Sequence, residues 1–241
     1  MTVFLLTHIF DNSAHLLAPP MATWLASSRR FAVFVTTFRD KIRKKLRAIP
    51  DAESLLDLRL ELETAYLLLQ ERSLSLVYEP QQIGKVRGPD FAVTFTTSLT
   101  FTVEVTRLRA DPNTKPSLVA DRVADTMCDK LGQLLPQRSN VLVVGVEALD
   151  LVPGDLGAAI LHTQQRAERN DVAFLQRHRL HNRADFFHHY QRLSEVLVRG
   201  ACEQDAEPMI AWINPQANHP LPSKVRTALH RSQAVTCARR G

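Results

Sequence analysis

Along this chain the apolar positions change period several times, and the changes divide it into elements. From Met21 to Leu46, Trp24, Leu25, Phe31, Phe34, Val35 and Phe38 recur at near-helical spacing, which predicts a helix; residues 1–20 read as loose chain ending at Pro19-Pro20. A second long helix is expected over about 52–72, with Leu55, Leu58, Leu62, Ala65 and Leu69 on one face. Period two then takes over. Leu74, Leu76 and Tyr78 alternate with Ser73, Ser75 and Val77, so 73–79 reads as a strand closed by Pro80. Two further β-rich runs, Phe91–Val93 and Phe101–Val105, flank a Thr/Ser-rich turn and predict a hairpin. Ser117–Leu135 reads as a helix with Val123, Met127, Leu131 and Leu134 on its apolar face, stopped by Pro136. The continuous apolar run Asn140–Val146 predicts a strand covered on both faces. Residues 156–178 and 186–199 read as helical, Met209–Ile213 as a short strand and Lys224–Arg231 as a last helix.

That order of helix, strand, hairpin, helix and buried strand implies an α/β protein with a mixed central sheet flanked by helices. The expected organisation is a helical extension over 1–50 and one domain over 51–241, with a helical insertion at about 155–200.

Chemistry enters at the hairpin. Asp90 opens its first run, and alternation sets Thr102, Glu104 and Thr106 on one face of the second, opposite Phe101, Val103 and Val105. An acid inside an apolar strand is costly to bury without a partner or a metal. Paired in a hairpin, Asp90 and Glu104 would come together at a place suited to a hard divalent cation. Glu61 lies on the apolar side of the preceding helix, between Leu58 and Ala65, with Glu63 as the fallback. Lys130 and Gln133 sit three apart beside the apolar face of the next helix and point the same way. Lys130 reads equally as a surface lysine there. A basic run, Arg39, Lys41, Arg43, Lys44, Lys45 and Arg47 against Asp40, keeps Ile42 and Leu46 as an apolar stripe. It is either a phosphate-backbone contact or a solvated face.

At Pro89-Asp90, Glu104-Val105 and the helix carrying Glu61 four residues before Ala65, the chain resembles the PD-(D/E)XK nuclease superfamily. The resemblance covers about Ala52 to Val146. It implies a restriction-endonuclease-like fold and a phosphodiesterase dependent on Mg²⁺ or Mn²⁺. Asp90, Glu104 and the Val105 carbonyl would hold the metal, and Glu61 would hold a second ion or orient a water. The pattern calls for a catalytic lysine at position 106, where this chain has Thr106; Lys130 is the candidate relocated lysine. Lys41, Arg43, Lys44, Lys45, Arg107 and Gln133 are the candidate nucleic-acid contacts, with DNA the expected substrate and a homodimer left open. A catalytically degenerate binding module on the same fold is the alternative. A helical protein-interaction domain is a second, and it expects Asp90 and Glu104 to lie far apart.

Composition narrows the rest. The chain has 241 residues, 45% of them hydrophobic, which supplies a core without resembling a membrane protein. A net charge of +5 favours an anionic partner. Cys128, Cys202 and Cys237 are widely spaced and odd in number, which suits a reducing cytoplasm and no structural zinc. His178, His181, His188 and His189 match no known ligand spacing. With eight glycines there is no Gly-rich phosphate loop, and no G-x-S-x-G elbow.

Overall fold

The computed structural model describes residues 2–11, 15–80, 88–109, 118–147, 151–200 and 209–233. At its centre is a six-stranded mixed sheet whose spatial order follows the chain: β1 (Leu74–Tyr78), β2 (Phe91–Phe95), β3 (Leu99–Arg107), β4 (Asn140–Val146), β5 (Leu193–Gly200) and β6 (Ile210–Ile213). The first three strands run antiparallel, β3, β4 and β5 are parallel, and β6 returns antiparallel. Helices α1 (Thr2–Phe10), α2 (Ala18–Ser27), α3 (Arg29–Arg47), α4 (Ala52–Leu68) and α9 (Ser223–Gln233) share one core. Between β3 and β4 comes α5 (Val119–Lys130). Between β4 and β5 come α6 (Pro153–Glu168), α7 (Val172–Arg177) and α8 (Arg183–Tyr190), which with α5 form the second core.

Strand alternation divides these cores between the sheet faces. Val141 and Val143 belong to the core containing Leu58, Leu62 and Ala65 of α4, whereas Leu142, Val144 and Val146 belong to the one containing Val123 and Met127 of α5. β4 is buried at every position, as its apolar run requires.

Before the first strand the structure departs from the sequence reading in three places. Residues 2–10 form a helix rather than loose chain, because Leu5, Ile9 and Phe10 are buried in the common core. Pro19 and Pro20 begin α2 instead of ending a segment; proline is tolerated in a first turn, where its missing N–H has no intrahelical partner. The helix expected over 21–46 is two helices. Ser28 takes an extended conformation (φ −135°, ψ 108°) and its side chain accepts from Phe31 N–H, starting α3. Helices α1–α3 contribute buried side chains to the same core as α4 and α9.

The largest departure is β5. Residues 193–199, which read as helical in sequence, belong instead to a strand buried throughout. Leu193, Val196 and Leu197 imitate a helical period, yet Glu195 and Arg199 are buried and paired across the fold. Arg199 Nη2 donates to Glu63 Oε1 at 2.9 Å, and Glu195 meets His230 and Arg226 of α9. The segment expected as a helical insertion thus supplies a strand to the sheet. Arg199 Nη1 is buried without a hydrogen-bond partner, so Glu63 is the anchor of that charge. Glu63→Leu is expected to cost about 3–5 kcal/mol by leaving the guanidinium uncompensated. Adding Arg199→Met should return most of it, measured by urea denaturation of both variants beside wild type.

The edge strand β1 is closed by α3. Arg30 Nη1 donates to Leu69 O (2.8 Å) and Glu71 O (2.7 Å), its Nη2 donates to Leu74 O, and Lys41 Nζ donates to Tyr78 O at 3.2 Å. Two of these carbonyls, Leu74 O and Tyr78 O, belong to the edge strand itself, and the other two to the end of α4 and the turn that leads into β1. These bonds bring the basic helix against the end of the hairpin.

Candidate active site

The hairpin register decides where the two strand acids meet. Phe91 pairs with Val103, and one step beyond that register Asp90 stands opposite Glu104. Directly opposed residues of an antiparallel pair share a face. Val105 N–H donates to Asp90 Oδ2 at 2.8 Å, tying the first acid to the backbone beside the second. Glu79, with a left-handed backbone (φ 41°), donates its N–H to Asp90 O at 2.7 Å. That contact holds the end of β1 against the start of the hairpin.

Three carboxylates gather around this point. Asp90, Glu104 and Glu61 are 6%, 5% and 6% exposed, so all three are withdrawn from water. Burial pushes the Asp90 carboxyl up to about 8, and the charges of Glu61 and Glu104 push it the same way, against the Val105 N–H and Lys45. Burial also raises Glu61, outweighing Lys45.

Two ammonium groups answer that negative charge. Lys130, the last residue of α5, places Nζ 2.8 Å from Glu104 Oε1, and Gln133 Oε1 accepts from it at 3.4 Å. The helix tightens to a single 3-10 turn over Leu131–Gln133, which sets Gln133 beside Lys130. Lys45 arrives from α3, with Nζ 2.7 and 2.6 Å from the two oxygens of Glu61 and 3.1 Å from Glu79 Oε1. Burial pulls this ammonium's pKa down, but Glu61, Asp90 and Glu79 outweigh burial and leave it raised. It also lies 5.5 Å from the centre of the Tyr78 ring.

The remaining candidates fall in different places. Thr106 is half-buried on β3, on the Glu104 face. Lys41 donates to Tyr78 O and Glu79 O; Arg43 pairs with Asp11, as does Arg47 at 2.7 Å. Arg107 is held on α4 by Glu53 and, at 3.2 Å, by Asp57. Lys44 is exposed. The basic run therefore largely serves the fold, and its Lys45 turns inward. Sequence reasoning placed Lys45 among surface contacts and missed Glu79; the available signal was Phe38 and Ile42 flanked by Lys41 and Lys45 on one helical face. Three histidines of the later chain have side-chain partners: His178 lies between Asp129 (2.7 Å) and Asp125 (3.6 Å), His189 meets Asp185, and His188 meets Arg192.

Among the described residues no three His, Cys, Asp or Glu side chains form a ready metal cage. The Asp90–Glu104 pair still fits a hard cation. Mg²⁺ needs only one or two carboxylates and keeps its waters, and a dication would offset the burial, and the lesser repulsion from Glu61 and Glu104, that raise the Asp90 carboxyl. Among the described residues no helix is long and apolar enough to cross a membrane. The chain matches no family model, no curated protein and no solved structure.

Proposed function

We propose that this chain is a metal-dependent phosphodiesterase of nuclease type, acting on nucleic acid and most naturally DNA, on the PD-(D/E)XK plan. The observation carrying the reading is the meeting of Asp90 and Glu104 across the hairpin, with Lys130 on Glu104. The order α4, β1, β2, β3, α5, β4 supports it. So does the delivery of Glu61 from α4, whose charge reaches Asp90. Asp90 and Glu104, with the Val105 carbonyl, would hold Mg²⁺ or Mn²⁺. Bound there, the ion would polarise the phosphate and lower the pKa of its water.

The chain's own groups do the rest. Lys130 brings positive charge beside Glu104 where the resembled pattern has a lysine and this chain has Thr106. Gln133 steadies that ammonium. Thr106 keeps a hydroxyl on the same face, able to donate a hydrogen bond but not to neutralise charge.

A second reading, a binding module that does not cut, is favoured by Thr106 and by the lysines already paired with Glu61 and Glu104. The helical interaction domain expects Asp90 and Glu104 far apart; here Asp90 is hydrogen-bonded to the residue after Glu104.

Supercoiled plasmid incubated with Mg²⁺, with Mn²⁺ or with EDTA separates these readings. Nicking that requires metal and disappears in Asp90→Ala supports the phosphodiesterase. Salt-sensitive binding without nicking supports the binding module. Neither binding nor nicking removes both for that substrate.

A further inference from the structure

We propose that Lys45 is a built-in cation at Glu61, so that the protein takes a single divalent ion at Asp90 and Glu104 rather than a pair. The inference rests on the metal-dependent reading above and concerns how that site is filled. Its basis is the geometry of one ammonium group. Lys45 Nζ bonds both oxygens of Glu61, at 2.7 and 2.6 Å, and adds Glu79 Oε1 at 3.1 Å. Both oxygens that Glu61 could offer a second ion are therefore engaged. A dication at Glu61 would have to displace the ammonium or lie against it, and two cations in a poorly hydrated site repel strongly.

Displacement is resisted by the way α3 is seated. Ile42 is 1% exposed in the common core. One turn before Lys45, Lys41 Nζ holds Tyr78 O at 3.2 Å and Glu79 O at 3.0 Å. The Lys45 ammonium also lies 5.5 Å from the Tyr78 ring centre, a favourable place for a cation with a buried stem. Helix, ring and carboxylates fix the same group from three sides.

The site on Glu104 differs. Lys130 bonds one Glu104 oxygen, Oε1, and the Asp90–Val105 bond uses one Asp90 oxygen, Oδ2. A cation joining these acids can use the oxygens that those bonds leave, Glu104 Oε2 and Asp90 Oδ1, whereas Glu61 has no oxygen that Lys45 does not already hold. The asymmetry assigns one carboxylate pair to the divalent ion and the third carboxylate to the lysine.

Equilibrium dialysis of the metal-free full chain against Mn²⁺ at pH 8 tests this, with bound ions counted per chain. One ion is expected for wild type, two for Lys45→Met and one again for Lys45→Met with Glu61→Gln. Two ions on wild type, or one on a folded Lys45→Met, would overturn the inference and leave the metal-dependent reading standing. If Lys45→Met does not fold, Glu61→Gln alone decides. An unchanged count of one supports the lysine assignment, and loss of an ion defeats it. No bound ion in any of these proteins overturns the underlying reading and this inference together.

Discussion

Asp90→Asn is expected to abolish metal-dependent cleavage and, in EDTA at pH 8, to make the protein more stable than wild type. The carboxyl is pushed up to about 8 by burial and by Glu61 and Glu104. The folded protein therefore retains a proton that the unfolded chain, with an ordinary aspartate near 3.9, has released. A raised acid is neutral and harmless at low pH. As pH rises from about 4 to 8, the fold must either keep that proton or bury a charge. Stability then falls by about 1.4 kcal/mol for each pH unit, levelling off above 8. Asparagine is neutral throughout and can still accept from Val105 N–H. Urea denaturation in EDTA should show the two proteins converging near pH 4 and separating by several kcal/mol at pH 8. Mn²⁺ should reverse the order, because it stabilises the protein that binds it. An asparagine variant less stable at pH 8, or one stabilised equally by Mn²⁺, would count against Asp90 as a metal-holding acid.

The same residue illustrates what could be read from the sequence. Alternation along 101–106 fixes which side chains share a face, and one slip in register would turn all of them over. The meeting of Asp90 with Glu104 was therefore legible from Pro89, the β-rich runs and the turn between them. The mixed sheet was legible too, since β1 to β3 alternate in sequence and β4 is one continuous apolar run. β5 was not. Its Glu195 and Arg199 look like surface positions until His230, Arg226 and Glu63 are placed beside them, and those partners lie 31 to 136 residues away in the chain. Lys45 was hidden by a related ambiguity. Six basic residues in nine positions look like one charged face, and nothing local says which one turns toward a carboxylate sixteen residues on.

Lys130→Met is expected to lower the cleavage rate by on the order of 10²–10³, the usual cost of removing one charge-stabilising donor from a reacting oxyanion. It should also unsettle the metal-free fold. The Glu104 side chain is 6% exposed and its ion pair with Lys130 is 2.8 Å long. Removing the ammonium leaves a buried carboxylate uncompensated, at about 3–5 kcal/mol. A divalent ion at Asp90 and Glu104 would offset much of that, so the variant's melting temperature should climb more steeply with Mn²⁺ than that of wild type. The decisive step is repair at another position. Thr106 lies two residues beyond Glu104 on the same face of β3 and is half-buried. Thr106→Lys in the Lys130→Met background should therefore return an ammonium to the neighbourhood of Glu104. At least a tenfold recovery of rate is expected, with metal-free stability recovering in parallel; tenfold corresponds to about 1.4 kcal/mol. Recovery of stability without rate would make Lys130 a structural counter-ion only. An undiminished rate in Lys130→Met would remove it from the chemistry, leaving Thr106 as the mark of a protein that binds without cutting.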